Sequence, residues 1–265
     1  MKSTTRLTAH GITVGYGDRK VLDTIDFSLL EGELTVILGP NACGKSTLLK
    51  ALARVNPVRT GEIRLDGRPL PGMKSKDIAK ILAMLPQTPD APSGVTVADV
   101  VARGRYPHQS LLRSWSPEDD AACTEAMTAA NVLELADRPI EALSGGQRQR
   151  VWIAMTLAQQ TPLILLDEPT TYLDITHQLE VLNLTRKLHR AGHTVAVVLH
   201  DLNLAFRYAT HVVLMKDGEI LAQGRPADIV TEEIIRQVFD VDSKIIADPC
   251  SGTPLVIPRV EEDAL

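Results

Sequence analysis

Aromatic side chains are scarce in this chain: three phenylalanines, four tyrosines and two tryptophans among 265 residues. Recognition of single-stranded nucleic acid by stacked bases therefore has little to work with. A formal charge of −5 argues against a general phosphate-backbone surface as well, so no nucleic-acid partner is expected. Cysteine is equally thin. Cys43, Cys123 and Cys250 are an odd number at no metal-like spacing, which reads as free thiols of a reducing compartment and not as a disulfide frame. Long hydrophobic runs are also missing. The greasiest stretches, "LTVILG" and "PLILLDE", are strand-sized, against the roughly 18–20 apolar residues of a spanning helix. The opening "MKSTTRLTAHGITVGYG" is polar and has no apolar segment of signal-peptide length. The expectation is a soluble chain that reaches a membrane only through a partner. No internal repeat or low-complexity tract is present.

What is there alternates strand-like and helix-like text. From Arg6 to Asp66 the segments are short and strand-like, punctuated by glycine, and the Asp66-Gly67 and Asp217-Gly218 pairs favour tight turns with positive φ. The stretch "GYGDRK" reads as another hairpin turn with Tyr16 near its tip. Between about Asp90 and Gln160 the text turns helical, with Ser116 at a cap position, Pro117 in the first turn and acids behind it. After that, strands "PLILLDE" and "TVAVVLH" alternate with helices, followed by the hairpin "HVVLMKDGEILAQG", a helix near Thr231–Phe239 and a loose tail. Nearly unbroken apolar strands followed by helices predict an α/β fold with a mostly parallel core sheet and an inserted helical lobe.

Gly39–Thr47 reads "GPNACGKST", which satisfies the phosphate-loop pattern with Gly39, Gly44, Lys45 and Ser46. An apolar strand ends at Leu38 and a helix begins near Lys45, so successive backbone amides are placed to face one anion at a helix N-terminus. The nucleotide-binding set is then Gly39, Pro40, Asn41, Ala42, Cys43, Gly44, Lys45, Ser46 and Thr47. Lys45 supplies positive charge to the β- and γ-phosphates, and Ser46 is a ligand for Mg²⁺. Cys43 reads as an alkylation liability, not a catalyst. The acidic half of such a site is "LILLDEPT": Asp167 for the metal, Glu168 to polarise the attacking water. Gln87 and His200 are polar residues at strand ends, where open sheets bind ligands. Gln87 suits Mg²⁺ or water, and His200 suits the γ-phosphate.

A second glycine-bearing stretch, "LSGGQ", runs from Leu143 to Gln147. Ser144 with Gln147 is a capping-box pattern. That accounts for the serine and the glutamine but not for two successive glycines, which weaken a first turn and bare its amides. Bare amides, a hydroxyl and a positive helix end also describe an anion site.

Taken in order, "GPNACGKST", Gln87, "LSGGQ", "LLDEPT", "YLD" at Tyr172–Asp174 and "HD" at His200–Asp201 resemble the ATP-binding cassette family over roughly residues 6–240. The resemblance implies a P-loop NTPase core (residues 6–89 and 161–240) with an N-terminal antiparallel β subdomain. It also implies a helical signature subdomain at 90–160 and a short tail at 241–265. ATP and Mg²⁺ are the implied cofactors. Two cassettes are expected to face head-to-tail as a homodimer, each ATP held by one phosphate loop and by Ser144, Gly145, Gly146 and Gln147 of the other copy. Tyr16 matches the adenine-stacking aromatic and Asp174 the loop through which the two sites communicate. Glu168 matches the catalytic base and His200 the γ-phosphate switch, with Gln87 and Lys45 completing the catalytic set.

The segments "TVADVVARGRYPH", "TYLDITHQLEVLNL" and "HDLNLAFRYATHVVLMKDGEILAQG" are similar to the ATPases of ferric-siderophore importers. A haem or cobalamin importer is an alternative, as is an exporter cassette or a cassette without transport. The 41 residues after Gly224 are too few for the β-rich regulatory domain of many sugar importers. The partners so implied are a polytopic membrane permease and a periplasmic or surface substrate-binding protein, with the chain at the cytoplasmic face of the bacterial plasma membrane. Arg103, Arg105 and Tyr106 are expected near the permease.

Overall fold

In the computed structural model, residues 4–109 and 115–259 are described, and they fall into two units divided at Leu70/Pro71 and at Val195/Ala196. Neither cut coincides with the expected subdomain boundaries at 89/90 and 160/161.

The first unit begins with a long hairpin, β1 (Thr5–Tyr16) and β2 (Arg19–Leu30), whose ends pair Tyr16 with Arg19. Strand β3 (Leu34–Leu38) is buried at every position, as expected of a strand covered on both faces. Helix α1 (Lys45–Leu52) packs on β1 and β2 through Leu48, Leu49 and Leu52, all fully buried. Each such leucine contributes about 1.5–3 kcal/mol relative to an exposed position. Strands β4 (Thr60–Leu65) and β5 (Arg68–Pro69) complete an antiparallel sheet in the order β2-β1-β4-β5. The β4–β5 turn is Asp66-Gly67, with both φ angles positive (48° and 74°), as the sequence predicts.

The second unit opens with the short α2 (Ser75–Ile78) and β6 (Leu82–Leu85). Helices α3 (Val97–Ala102), α4 (Pro117–Ala129) and α5 (Gly145–Ala158) pack on one another through Val97, Val100, Val101, Ala126, Val151 and Trp152. Ser116 caps α4 in a capping box with Asp119 and Pro117 opens the first turn, as expected. Strand β7 (Leu163–Asp167) runs parallel to β6, and α6 (Ile175–Arg190) follows. Within β8 (Thr194–Val198) the chain passes back to the first unit.

There α7 (Leu202–Tyr208) precedes β9 (His211–Lys216), which lies parallel to β3 and antiparallel to β10 (Glu219–Gly224), so the strands are mixed within an α/β fold. Two short helices, α8 (Pro226–Ile229) and α9 (Glu232–Phe239), lead to a hairpin of β11 (Ser243–Ala247) and β12 (Pro254–Pro258). Up to Pro258, then, the expected loose tail is ordered. The Asn203 amide on α7 donates to Val256 O at 3.2 Å and accepts from Val256 N at 2.8 Å, extending the backbone pairing onto a side chain. Among the described residues no helix is long and apolar enough to cross a membrane.

Candidate functional site

In the first unit the phosphate loop is shaped by its own chain. A Cβ on Gly39 would stand 2.2 Å from Met215 O, and one on Gly44 would stand 2.6 Å from Leu22 Cδ2, with φ at 106°. The N-cap of α1 is Gly44, so no side chain caps its first turn. Lys45 is buried and folds back over the loop, its Nζ donating to Gly39 O and Pro40 O at 2.8 Å each. Ala42, left outside the motif's fixed positions, takes a left-handed φ of 63°. Cys43 corrects an expectation. It is buried and its thiol pKa is pushed up by that burial, so it is a packed side chain with little thiolate and not an alkylation liability.

Tyr16 sits at the hairpin end with its ring about half exposed, and its hydroxyl accepts from Asn56 Nδ2 at 2.7 Å. Asn56 is a contact that nothing in the sequence pattern announced. Leu199 N donates to Ile37 O at 3.3 Å, which sets the carboxyl ends of β8 and β3 side by side and leaves exposed His200 at the same strand edge as Gly39. Asp201 caps α7 through Leu204 N.

In the second unit the register of β6 and β7 pairs Leu85 with Leu166. Gln87 and Glu168 each follow their paired leucine by two residues, and they meet: Gln87 Nε2 donates to Glu168 Oε2 at 2.5 Å, with Thr171 Oγ1 donating to the same oxygen at 3.2 Å. Glu168 has a positive φ of 52°, a conformation that costs a non-glycine residue of order 1 kcal/mol or more and that clusters at functional sites. Asp167 is fully buried at the end of β7.

The capping box of α5 is present: Gln147 N donates to Ser144 Oγ at 3.2 Å and Ser144 N to Gln147 Oε1 at 3.1 Å. The two glycines behind Ser144 differ. Nothing lies within 4 Å of a Cβ on Gly145, whereas one on Gly146 would meet the His177 ring at 2.4 Å. His177 is in turn bound to Asp174, the cap of α6, through its backbone N (2.9 Å) and Nδ1 (2.7 Å), and these bonds hold the Asp174 carboxyl pKa below its usual value. Sequence reasoning passed over His177; its only signal was the three-residue spacing from Asp174.

The expected partner-facing residues divide. Arg103 and Tyr106 are exposed, on a 3₁₀ turn over Arg103–His108. Arg105 is buried and cannot serve as a surface contact. Its Nε donates to Asp119 Oδ1 at 2.8 Å, and one terminal nitrogen donates to Ala158 O and Gln160 Oε1, also at 2.8 Å. A buried guanidinium needs such acceptors, and α4 and the end of α5 provide three of them.

As to metal, Ser46 in the first unit offers a hydroxyl oxygen, and Gln87 and Asp167 in the second offer amide and carboxylate oxygens, hard donors of the kind Mg²⁺ takes. Among the described residues no group of three or more His, Cys, Asp or Glu is arranged to hold a metal by itself. A cation carried on substrate phosphates needs no such cage.

A family model described as ABC transporter matches residues 22–171. The chain is 50% identical over 249 residues to the petrobactin import ATP-binding protein FpuD of Bacillus anthracis, covering 94% of this chain and 91% of that one. It is 48% identical over 258 residues to the ferric enterobactin transport ATP-binding protein FepC of Escherichia coli K12, covering 97% and 95%. Among solved structures it resembles MJ0796, a bacterial ABC transporter cassette seen as a dimer, with TM-score 0.73 and 28% identity over 83% of this chain and 98% of that chain.

Proposed function

The chain belongs to the ABC transporter family, and from that premise we propose that it is the ATP-hydrolysing subunit that powers ferric-siderophore import through a separate membrane permease. The observation that carries the reading is near-full-length identity of about half to a petrobactin import and a ferric enterobactin transport ATP-binding protein, with every ATP motif retained.

ATP binds on the Gly39–Thr47 loop, where Lys45 exchanges its two loop carbonyls for phosphate oxygens and Tyr16 stacks on the adenine. Ser46, Gln87 and Asp167 would be the residues to hold Mg²⁺, which would supply positive charge to offset the negative charge building on the phosphates. Glu168 accepts a proton from water as the water oxygen bonds the γ-phosphorus. The bond from that phosphorus to the β-γ bridging oxygen breaks, giving ADP and phosphate. His200 contacts the γ-phosphate. The exposed face at Ser144 and Gly145 meets nucleotide held by a second copy, and Asp174 links the two sites. Closure and reopening of this pair drive the permease between access states as rigid bodies. Residues 90–160 form the helical signature subdomain of that cycle, and Arg103 and Tyr106 lie toward the permease. A substrate-binding protein delivers the chelate from outside, and the chain works at the cytoplasmic face of the plasma membrane.

The test is uptake in a deletion strain carrying either this chain or its Glu168→Gln form, offered labelled ferric siderophores, haem and cobalamin separately. Loss of ferric-chelate uptake alone in the Glu168→Gln strain is expected. Loss of only haem or cobalamin uptake replaces the cargo. No loss, with ATPase intact in vitro, overturns the importer reading in favour of an exporter or a cassette without transport.

A further inference from the structure

The two glycines of the signature face different surroundings, and the difference points to a residue outside every ATP motif. Asp174 and His177 lie three apart at the start of α6, so both project from its first turn. Asp174 Oδ1 takes the His177 backbone N–H at 2.9 Å and lies 2.7 Å from ring Nδ1. A carboxylate partner selects the tautomer in which Nδ1 donates. The Nδ1 bond turns the ring toward Asp174, and the backbone bond holds that carboxylate in place. The far edge of the ring then lies against Gly146: a Cβ there would come 2.4 Å from Cδ2, 2.7 Å from Cγ and 3.0 Å from Nε2.

On the other side, the capping box closes Ser144 and Gln147 onto each other, making the first turn of α5 one stiff piece. That piece carries Ser144 and Gly145 on its exposed face and rests on the imidazole through Gly146.

We propose that His177 is a positioning residue for ATP hydrolysis: it couples the Asp174 loop to the signature turn, so that a shift of Asp174 is passed through the ring to Ser144 and Gly145. This rests on the reading that those two residues meet nucleotide held by a second copy. The ring edge transmits by contact and the Nδ1 bond fixes the ring, so both are required. A side chain that merely filled space would need only its volume.

Two substitutions separate the requirements in the full-length chain. His177→Asn keeps a donor for Asp174 and removes the ring edge; His177→Phe keeps a ring and removes the donor. Each should lower kcat roughly tenfold, about 1.4 kcal/mol in the barrier. Affinity of the chain for a fluorescent ATP analogue and the melting temperature should stay near wild type. Gly146→Ala should be nearly inactive, and adding His177→Ala should restore part of its turnover, because the obstructing ring is gone. Wild-type kcat in either His177→Asn or His177→Phe overturns the proposal, as does a loss of kcat matched by equal losses of affinity and melting temperature. A wild-type chain without ATPase activity would instead overturn the underlying ATPase reading.

Discussion

The molecule has two glycine-bearing loops that open helices, and they are built on opposite terms. Around the phosphate loop, Gly39 and Gly44 are demanded by the chain itself, since Met215 O and Leu22 leave no room for a side chain. Around the signature, Gly146 has such a reason in His177 but Gly145 has none, with open space where its Cβ would be. The first loop is therefore complete as a fold element and explains itself. The second includes a glycine at the first position of its helix for which no neighbour inside the chain supplies a steric reason. Under the proposed function, that open face is where the second copy's nucleotide would dock.

The comparison breaks most sharply with Lys45→Ala set against Ser144→Arg. Lys45→Ala should weaken nucleotide binding by the isolated chain about tenfold to a hundredfold, the scale of losing a charged hydrogen-bond donor. Ser144→Arg should leave that binding intact and abolish hydrolysis, because it places a bulky charge on the exposed face that the proposed second copy would meet. Equilibrium binding and turnover on both variants check this; a Ser144→Arg enzyme with normal turnover would return the signature to a plain helix start.

A second pair sharpens the contrast in stability. Gly39→Ala should cost about 1–3 kcal/mol, since a methyl group is forced onto backbone. Gly145→Ala should be neutral or stabilise by up to about 1 kcal/mol while lowering turnover. Thermal melts beside ATPase rates would show the two responses diverging.

The smallest effect is in acid, and it reaches beyond the loops to a carboxylate beside the signature and to one in the terminal hairpin. Asp174, next to the signature, is held below the usual carboxylate range by His177, and Asp248 is lowered from 3.8 to about 2, chiefly by its hydrogen bonds from Arg207. A depressed folded-state pKa contributes stability that is present above the unfolded value and lost as pH falls through the folded one. For Asp248 the window runs from about pH 4 down to about 2. Melting temperature should fall across that window in wild type and fall less in Arg207→Ala, in which Asp248 loses its main partner.

The nucleotide motifs were legible because each is a short run whose chemistry needs neighbouring residues: amides of one turn, a lysine and a hydroxyl opening one helix, two acids ending one strand. The Asp-Gly turns and the capping boxes were legible for the same reason. Arg105 was not. In "RGRYPH" it reads as one more surface charge, and only Asp119, Ala158 and Gln160, brought in from 14 to 55 residues away, make it internal. The terminal hairpin escaped notice because "SKIIA" and "PLVIP" are weak strands alone; Asn203 and Arg207 on α7 tie them down.

By itself, the sequence determined the family and the α/β class and singled out the residues proposed to handle ATP, since local backbone chemistry and motif order carry that information over a few residues at a time. Only the tertiary structure decided that Gln87 and Glu168 touch, that Arg105 is internal and that His177 stands under Gly146. Those facts depend on strand register and helix packing, where residues distant along the chain compete for the same space.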